Sequence, residues 1–192
     1  AQRRDARFLN TTMMVTLNGG ACSDALEDGR VVSGVGGQYN FVAMAHELAG
    51  ARSILMLRST RTKGKKTTSN IVGHYGHITI PRHLRDIVIT EYGIAYLHGK
   101  SVQDRALALI SVAHPDFREQ LLKEALEIRQ ALSPGSSEVA ASLNNLGVVA
   151  WSRGDFAGSE TYYRGALEIL EQEAPDGSAH STTLNNLASI MV

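Results

Sequence analysis

The sequence has a single cysteine, Cys22, so it cannot form an internal disulfide. This cysteine usage is typical of a reducing compartment, and we expect a cytoplasmic location. No apolar run approaches the roughly 20 residues that a membrane helix needs, and the first ten residues lack the apolar segment of a secretory signal. Lys and Arg together number 19, as do Asp and Glu, which disfavours nucleic acid or a membrane as the partner.

The first part of the chain combines short β-branched runs with turns and one clear helical pattern. A helix is predicted after Asn40, its expected N-cap, and ends near Gly50. A strand, a helix and a second strand within about 30 residues form a βαβ unit, so we predict an α/β domain with a mostly parallel sheet and helical cover. The predicted buried strands are Thr11–Leu17, Arg30–Gly34, Ser53–Leu57 and Asp86–Thr90.

The second part has no strand pattern and contains an internal repeat. "LNNL" begins at Leu143 and again at Leu184, and "ALEI" begins at Ala125 and again at Ala166. Both pairs, like the two prolines Pro134 and Pro175, are separated by 41 residues. A repeat of this length predicts stacked helical hairpins, an all-α segment joined to the first part by one helix from His114 to Leu132.

Within one repeat, a first helix is predicted from Glu138 to Arg153 and a second to Gln172, with Gly154 ending the first and Asp155 capping the second. The predicted buried face comprises Leu143, Leu146, Trp151 and Leu167. The repeat resembles the tetratricopeptide family, which implies a peptide or protein partner on its concave surface. Asn144, Asn145, Asn185 and Asn186 are the candidate contacts, although polar packing on the helices explains them equally well. The array comprises about one and a half to two units, which predicts a fragment.

The stretch "VVSGVGGQYNF" from Val31 to Phe41 is the strongest local signal in the first part. Glycines that precede a helix let backbone amides approach an anionic ligand. A tight structural turn and a dinucleotide loop are the alternatives. The dinucleotide pattern needs a third glycine where Tyr39 stands, although Arg58 after the next strand suits an NADP site.

Four motifs occur in one order: "SGVGGQYNF" at Ser33, "SNIV" at Ser69, "TEYGIAYLHGKS" at Thr90 and "AHPDFREQL" at Ala113. Together they resemble the C-terminal domain of the acetyl-CoA hydrolase/4-hydroxybutyrate CoA-transferase family, over about Phe8 to Glu124. The resemblance implies domains at 1–124 and 125–192. It also implies an acyl-CoA and a small carboxylate as substrates, and transfer or hydrolysis through a glutamyl-CoA thioester.

The resemblance also implies which residues contact CoA. The oxyanion-side candidates are Gly36, Gly37 and, from "FLNTTM", Asn10. The candidates for binding CoA are Ser33, Gly34, Gly36, Gly37, Asn40 and Phe41. The cationic run Arg58–Lys66 adds Lys63 and Lys65 as partners for the CoA phosphates, with a solvated loop as the alternative.

Three departures from the family pattern limit the expectation that this chain transfers or hydrolyses acyl-CoA. Asn40 stands where the family has Asp, and Tyr96 and His98 replace an Asp and an Arg. The nucleophilic glutamate of the family belongs to an upstream region, and Glu27, Glu47 and Glu91 do not lie in its motif. We therefore expect this chain to be inactive alone.

The remaining candidates carry weaker expectations. Glu91 suits an acid–base role or an ion pair at a strand end, and the structural role is favoured. His74 and His77 lack a third ligand at a recognisable spacing, so no metal is expected. Cys22 has no evident activating neighbour, which disfavours nucleophilic catalysis.

Overall fold

The computed structural model describes residues 4–191 and divides into two units, one ending at Phe117 and the other beginning at Arg118. The strands of the described part of the first unit are β1 (Arg7–Thr11), β2 (Met14–Thr16), β3 (Ala21–Cys22), β4 (Arg52–Met56), β5 (Thr60–Lys63), β6 (Lys66–Ser69), β7 (Ile71–Val72), β8 (Ile87–Thr90) and β9 (Gly93–Tyr96). Its helices are α1 (Gln38–Glu47) and α2 (Val102–Ser111), and α3 (Pro115–Leu132) crosses the boundary between the units.

The main sheet of the first unit has the strand order β1-β4-β8-β9. β1, β4 and β8 are parallel, and β9 folds back antiparallel to β8. Because α1 lies between β1 and its parallel neighbour β4 along the chain, these elements form a βαβ unit, although its first strand is β1 and not the strand predicted at residues 30–34. The predicted α/β fold with a mostly parallel sheet and helical cover is confirmed.

One face of this sheet forms the core of the unit. Strand register aligns Asn10, Leu55, Val88 and Ala95 in one row, in which the three apolar side chains are buried. Burial of a leucine side chain such as Leu55 stabilises the fold by about 1.5–3 kcal/mol. Asn10 is the polar member of this row, at the edge strand β1. On the opposite face the edge positions Leu9, Ile94 and Tyr96 are largely exposed.

Two of the predicted strands were placed wrongly. Residues 30–34 form no strand, and Val31 and Val32 are 68% and 50% exposed. β1 already occupies the position beside β4, so this apolar run has no strand to pair with apart from a single bridge to Ala25. The predicted strand at 11–17 divides instead between the end of β1 and β2, which lie in different sheets.

The helix start was also predicted wrongly. α1 begins at Gln38 with Gly37 as its N-cap, so Asn40 lies inside the first turn rather than capping it. The cap position has no side-chain hydrogen bond. Gly50, the predicted stop, follows the helix end and has a φ of 67°, a left-handed conformation that glycine adopts without strain.

Two smaller sheets complete the first unit. β2 lies between β3 and β7, and β5 and β6 form a hairpin whose turn contains Gly64 at a φ of 61°. The buried side chains of Met14, Cys22 and Tyr75 pack together beside the first of these sheets.

The second unit is helical, as predicted, with α4 (Ser137–Ser152), α5 (Phe156–Glu173) and α6 (Ser178–Ala188). The Asp155 side chain caps α5 by accepting a hydrogen bond from the Gly158 amide at 2.9 Å. Gly147 faces the ring of Tyr163, where a Cβ would clash, and this permits close approach of α4 and α5. Leu146 and Leu167 are buried as predicted.

The predicted burial of Trp151 is wrong, since its side chain is 47% exposed at the end of α4. Its neighbour Ala150 is buried, so the covered side of the last turn of α4 is the side of Ala150 and not that of Trp151. Among the described residues, no helix combines the length and hydropathy needed to cross a membrane.

Candidate functional site

A cleft of the first unit lies at the carboxyl ends of the three parallel strands. Its lining includes Thr11 at the end of β1, Arg58 after β4, and Glu91 after β8, and its volume is about 1370 Å³. Ligands of open α/β sheets bind at this edge, because the chain leaves the strands there and forms loops around a crevice. This cleft is therefore the first candidate for a binding site.

A basic wall borders the cleft on the side of the β5–β6 hairpin. Arg58, Arg61 and Lys63 all line it, and the Arg61 guanidinium contacts Sδ of Met14 at 2.7 Å. Lys65 lies in the turn of the hairpin, outside the lining of the cleft. Of the two predicted lysines, the structure thus brings Lys63 to the cleft, where its charge suits an anionic ligand.

A fixed carboxylate is part of the lining of the cleft. Glu91 accepts hydrogen bonds from the Ser59 amide at 2.9 Å and from the Ser59 hydroxyl at 2.6 Å. Burial by itself would raise the pKa of Glu91, but the hydroxyl and amide hydrogen bonds of Ser59 outweigh it, so that pKa lies below its usual range. Glu91 is thus an ionised, oriented carboxylate that bridges the ends of β4 and β8.

The glycine loop leads directly to the start of α1. Ser33, Gly34, Gly36 and Gly37 are all exposed, and a Cβ at Gly34 or Gly36 would meet no atom within 4 Å. Gly36 has a φ of 59°, which is the left-handed conformation that favours glycine. The first amides of a helix have no partner within it, so this loop presents donors to the solvent beside the positive end of the α1 dipole.

The start of α1 is attached to the edge of the cleft. The Gln38 side-chain amide donates a hydrogen bond to the Thr11 carbonyl at 2.8 Å, and Thr11 lines the cleft. The glycine loop and the strand ends therefore belong to one region of the unit.

A second, smaller pocket of about 620 Å³ brings Asn10 and Phe41 together. The Phe41 ring packs 6.0 Å from that of Phe8, measured between ring centroids. Nδ2 of Asn10 is buried and has no hydrogen-bond partner among the described residues. An unpaired buried donor is costly, so a ligand carbonyl would gain a strong hydrogen bond there.

The predicted site residues thus fall into three groups. Lys63 lies in the cleft, Asn10 and Phe41 share the smaller pocket, and Asn40 is exposed in the first turn of α1, next to the glycine loop. Sequence reasoning missed Gln38 and Ser59. Ser59 follows β4 by three residues, and attention to polar residues after parallel strands would have found it.

Tyr96 and His98, the two departures from the family pattern that follow β8, lie away from the cleft. Tyr96 is exposed at the end of β9, and the His98 ring lies 6.0 Å from that of His46, measured between ring centroids. His46 in turn contacts the Leu84 carbonyl through Nε2 at 3.0 Å. His46 is on α1 and His98 follows β9. Neither Tyr96 nor His98 lines the cleft.

Comparison with known families assigns both parts of the chain. Residues 1–125 match the family model described as the acetyl-CoA hydrolase/transferase C-terminal domain. Residues 119–172 and 138–192 match a tetratricopeptide repeat model. The resemblances found in the sequence are confirmed at both places.

Individual relatives give the same result. The chain is 39% identical to 4-hydroxybutyrate coenzyme A transferase of Clostridium kluyveri over 117 residues, which cover 60% of this chain and 27% of the relative. It is 45% identical to butyryl-CoA:acetate CoA-transferase of Anaerostipes caccae over 98 residues, or 49% of this chain and 22% of the relative. The crystal structure of RipA from Yersinia pestis superposes with a TM-score of 0.60 at 37% identity, covering 67% of this chain and 29% of that one. The chain thus spans between about a fifth and three tenths of the length of these relatives.

Proposed function

The chain belongs, through residues 1–125, to the acetyl-CoA hydrolase/transferase family, and from this premise we propose that its first unit binds the CoA side of an acyl-CoA thioester. The hydrogen bond from Gln38 to Thr11 carries this proposal most directly. It holds the glycine loop at the edge of a cleft that the cations of the basic wall already border. CoA carries phosphate groups, a thioester and an extended linker, and this region offers complementary chemistry to each.

The phosphates are assigned to the basic wall. Arg58, Arg61 and Lys63 lie along one side of the cleft, so fixed cations there form charge-assisted hydrogen bonds with phosphate oxygens. Such contacts weaken as the ionic strength rises, because the wall is exposed and salt screens it.

The thioester carbonyl is assigned to the glycine loop. As a nucleophile attacks, negative charge develops on the carbonyl oxygen, and the amides of Gly36 and Gly37 supply donors at the start of α1. One such donor typically stabilises the transition state by about 3 kcal/mol. Asn10 provides a second donor from the smaller pocket, where its Nδ2 has no partner among the described residues.

The attacking glutamate is not assigned to this chain. Glu91 is held by Ser59 as a low-pKa carboxylate, which suits a fixed structural or positioning role better than attack on a carbon. We therefore propose that residues 1–124 provide the CoA-binding part of an active site and are inactive alone. Thioester exchange between acetyl-CoA and a carboxylate by the purified chain, abolished by Glu91→Gln, would refute this.

A charge-removal series tests the assignment of the phosphates. We expect Lys63→Ala to weaken binding of CoA about fivefold to tenfold and to reduce its salt dependence, as measured by titration calorimetry at two salt concentrations. Lys100→Ala removes an exposed lysine outside the cleft and is the matched control. Equal effects of the two variants would show that the binding is a diffuse charge effect.

The helical segment, proposed at 125–192, carries the separate expectation of a peptide partner. Asn186 donates a hydrogen bond to Asn144 at 3.0 Å, joining α6 to α4. This bond favours a packing role for that pair and leaves Asn145 and Asn185 as the candidates for peptide contact. A peptide-array screen that compares the chain with an Asn145→Ala variant tests this expectation.

A further inference from the structure

Three side chains with metal-binding atoms converge beside β3. The Cys22 thiol, the Asp24 carboxylate and the His77 imidazole each offer one atom, and these atoms all lie within 4.8 Å of one another. Cys22 and Asp24 are buried, while the His77 side chain is 42% exposed. The cluster is thus closed on one side and open to solvent on the other.

Backbone pairing explains how distant residues meet here. His77 lies 53 positions after Asp24 along the chain. The Ala21 amide donates to the Ile80 carbonyl, and the amides of Thr79 and Ile80 both lie within hydrogen-bond distance of the Ala21 carbonyl. These bonds hold the segment that follows His77 against β3, so the spacing of ligands in the sequence gives no sign of the cluster. His74 is not part of it.

One ligand, Asp24, contacts the ligand His77 directly and is supported by a second layer of hydrogen bonds. Asp24 contacts Nε2 of His77 at 3.2 Å through one oxygen and accepts from the Thr79 hydroxyl through the other. The Ser23 amide donates to the Thr79 hydroxyl oxygen at 2.9 Å, which turns the hydroxyl proton toward Asp24. Outer partners of this kind fix the orientation of metal ligands and strengthen binding.

The thiol proton also has a defined route. Cys22 donates to the Ala25 carbonyl at 3.0 Å, and the Tyr75 hydroxyl donates to the same oxygen at 3.3 Å. When a metal binds, the Cys22 proton leaves to solvent, the sulfur becomes a thiolate ligand, and the Ala25 carbonyl keeps its bond from Tyr75. Deprotonation therefore leaves this carbonyl with a donor.

We propose that Cys22, Asp24 and His77 bind one Zn²⁺ ion, with a fourth coordination position open to solvent. One thiolate, one imidazole and one carboxylate form a ligand set that zinc accepts in tetrahedral geometry, and softer or harder cations suit it less well. Small movements of the side chains bring these atoms to bonding distance, because the His77 side chain lies at the surface.

This site acts on the glycine loop through the backbone. The Asp24 carbonyl accepts hydrogen bonds from the Val32 amide at 2.8 Å and the Ser33 amide at 3.2 Å. A metal that fixes Asp24 therefore also fixes the start of the loop that leads to Gly36. The metal ligands are not among the proposed CoA contacts, so the metal proposal does not require CoA binding. A bound metal would nevertheless stabilise the glycine loop to which the CoA proposal refers.

Cobalt substitution tests the site without any activity measurement. We expect the chelator-treated protein to bind one equivalent of Co²⁺, with a thiolate-to-metal charge-transfer band and the intense visible bands of tetrahedral cobalt. Zn²⁺ should displace the cobalt and raise the unfolding temperature.

Variants separate this site from incidental binding. Cys22→Ser should remove the charge-transfer band, and His77→Gln should lower the Co²⁺ affinity at least about tenfold. His74→Gln, a neighbouring histidine outside the cluster, should leave both unchanged. Because Cys22 is buried, each variant is first checked by circular dichroism, and His77→Gln decides the outcome if Cys22→Ser does not fold. No cobalt band in the wild-type protein, or equal loss in the His74 and His77 variants, would overturn the proposal.

Discussion

At the scale of single residues, Arg85 carries an unbalanced charge. Its side chain is 1% exposed, and all three guanidinium nitrogens are buried without a hydrogen-bond partner among the described residues. Its neighbour Asp86 instead binds Arg52 at 3.3 Å and the Ser53 amide at 3.1 Å. Burial first, and then the nearby charge of Arg105, lower the pKa of Arg85 to about 10, against the opposing effect of Asp86.

Replacing this charge with an apolar side chain of similar length should stabilise the protein. We expect Arg85→Met to raise the free energy of unfolding by about 1–3 kcal/mol at pH 7, measured by urea denaturation, because a buried charge without a hydrogen-bond partner among the described residues is removed. Exposed Arg82→Met is the control, with a change of at most about 0.5 kcal/mol. Destabilisation by Arg85→Met would show that the guanidinium has a partner.

The sign of the pH dependence follows from the lowered pKa of Arg85. The unfolded chain binds this proton more tightly than the folded chain, so the penalty is complete at pH 7 and diminishes as the pH rises through about 10. The stability difference between Arg85→Met and the wild type should therefore narrow toward alkaline pH. A difference that widens would contradict the assignment.

The hydrogen bonds between Ser59 and Glu91 make stability depend on pH in the acid range, whereas Arg85 does so in the alkaline range. Ser59→Ala removes one of the hydrogen bonds that hold the Glu91 carboxylate, so the pKa of Glu91 should rise and stability at pH 7 should fall by about 1 kcal/mol. Because this contribution needs the ionised carboxylate, it is present above the ordinary glutamate pKa and is lost as the pH falls through the lower folded-state pKa. Carbon-detected NMR titration of Glu91 in both proteins measures the shift directly, and an unchanged pKa would contradict this account.

At the scale of elements, the cap of α5 is the clearest local determinant in the helical segment. Asp155 accepts the Gly158 amide at the helix start and places a negative charge at the positive end of the dipole. We expect Asp155→Ala to reduce the stability of this segment by about 1 kcal/mol, measured by thermal denaturation followed by helical circular dichroism. Asp155→Asn keeps the hydrogen-bond acceptor and should lose less stability than Asp155→Ala. Equal losses of stability in the two variants would show that the charge of Asp155, rather than its capping hydrogen bond, stabilises the helix.

These elements also show which features a sequence can predict. Asp155 and, to within a residue or two, the bounds of α4 and α5 were predicted because caps and helical periodicity depend on neighbouring residues, whereas Gly154, the predicted C-cap of α4, follows the actual cap Arg153. The strand expected at residues 30–34 was wrong because pairing depends on which other strand occupies the sheet position, and β1 holds it. Burial of Trp151 was wrong for a related reason, since spacing gives a face but not whether another element covers it.

The same distinction applies to the candidate site. The glycine loop was found because glycines before a helix are a local pattern, and its exposed position agrees with that prediction. Gln38, Ser59 and the Cys22–Asp24–His77 cluster were missed because their contacts span 27, 32 and 53 residues of sequence. Only the strand order and the register bring these residues together.

At the scale of the whole molecule, two family segments are joined in one chain. Residues 1–125 match a CoA-transferase domain and residues 119–192 match helical repeats, so the matches overlap within α3. The part that this chain matches is 27% of one of these relatives and 22% of another. CoA binding by the first segment is therefore tested by itself, separately from the catalytic activity of the longer relatives.

Titration calorimetry of the purified chain with CoA, and separately with NADP⁺, tests the central claim most directly. Both ligands carry a phosphorylated adenosine diphosphate, so binding through charge alone would not distinguish them. We predict CoA binding that is weakened by Lys63→Ala but not by Lys100→Ala, with no NADP⁺ binding at the same concentrations. NADP⁺ binding equal to or tighter than CoA binding, or no CoA binding to the folded chain, would contradict it.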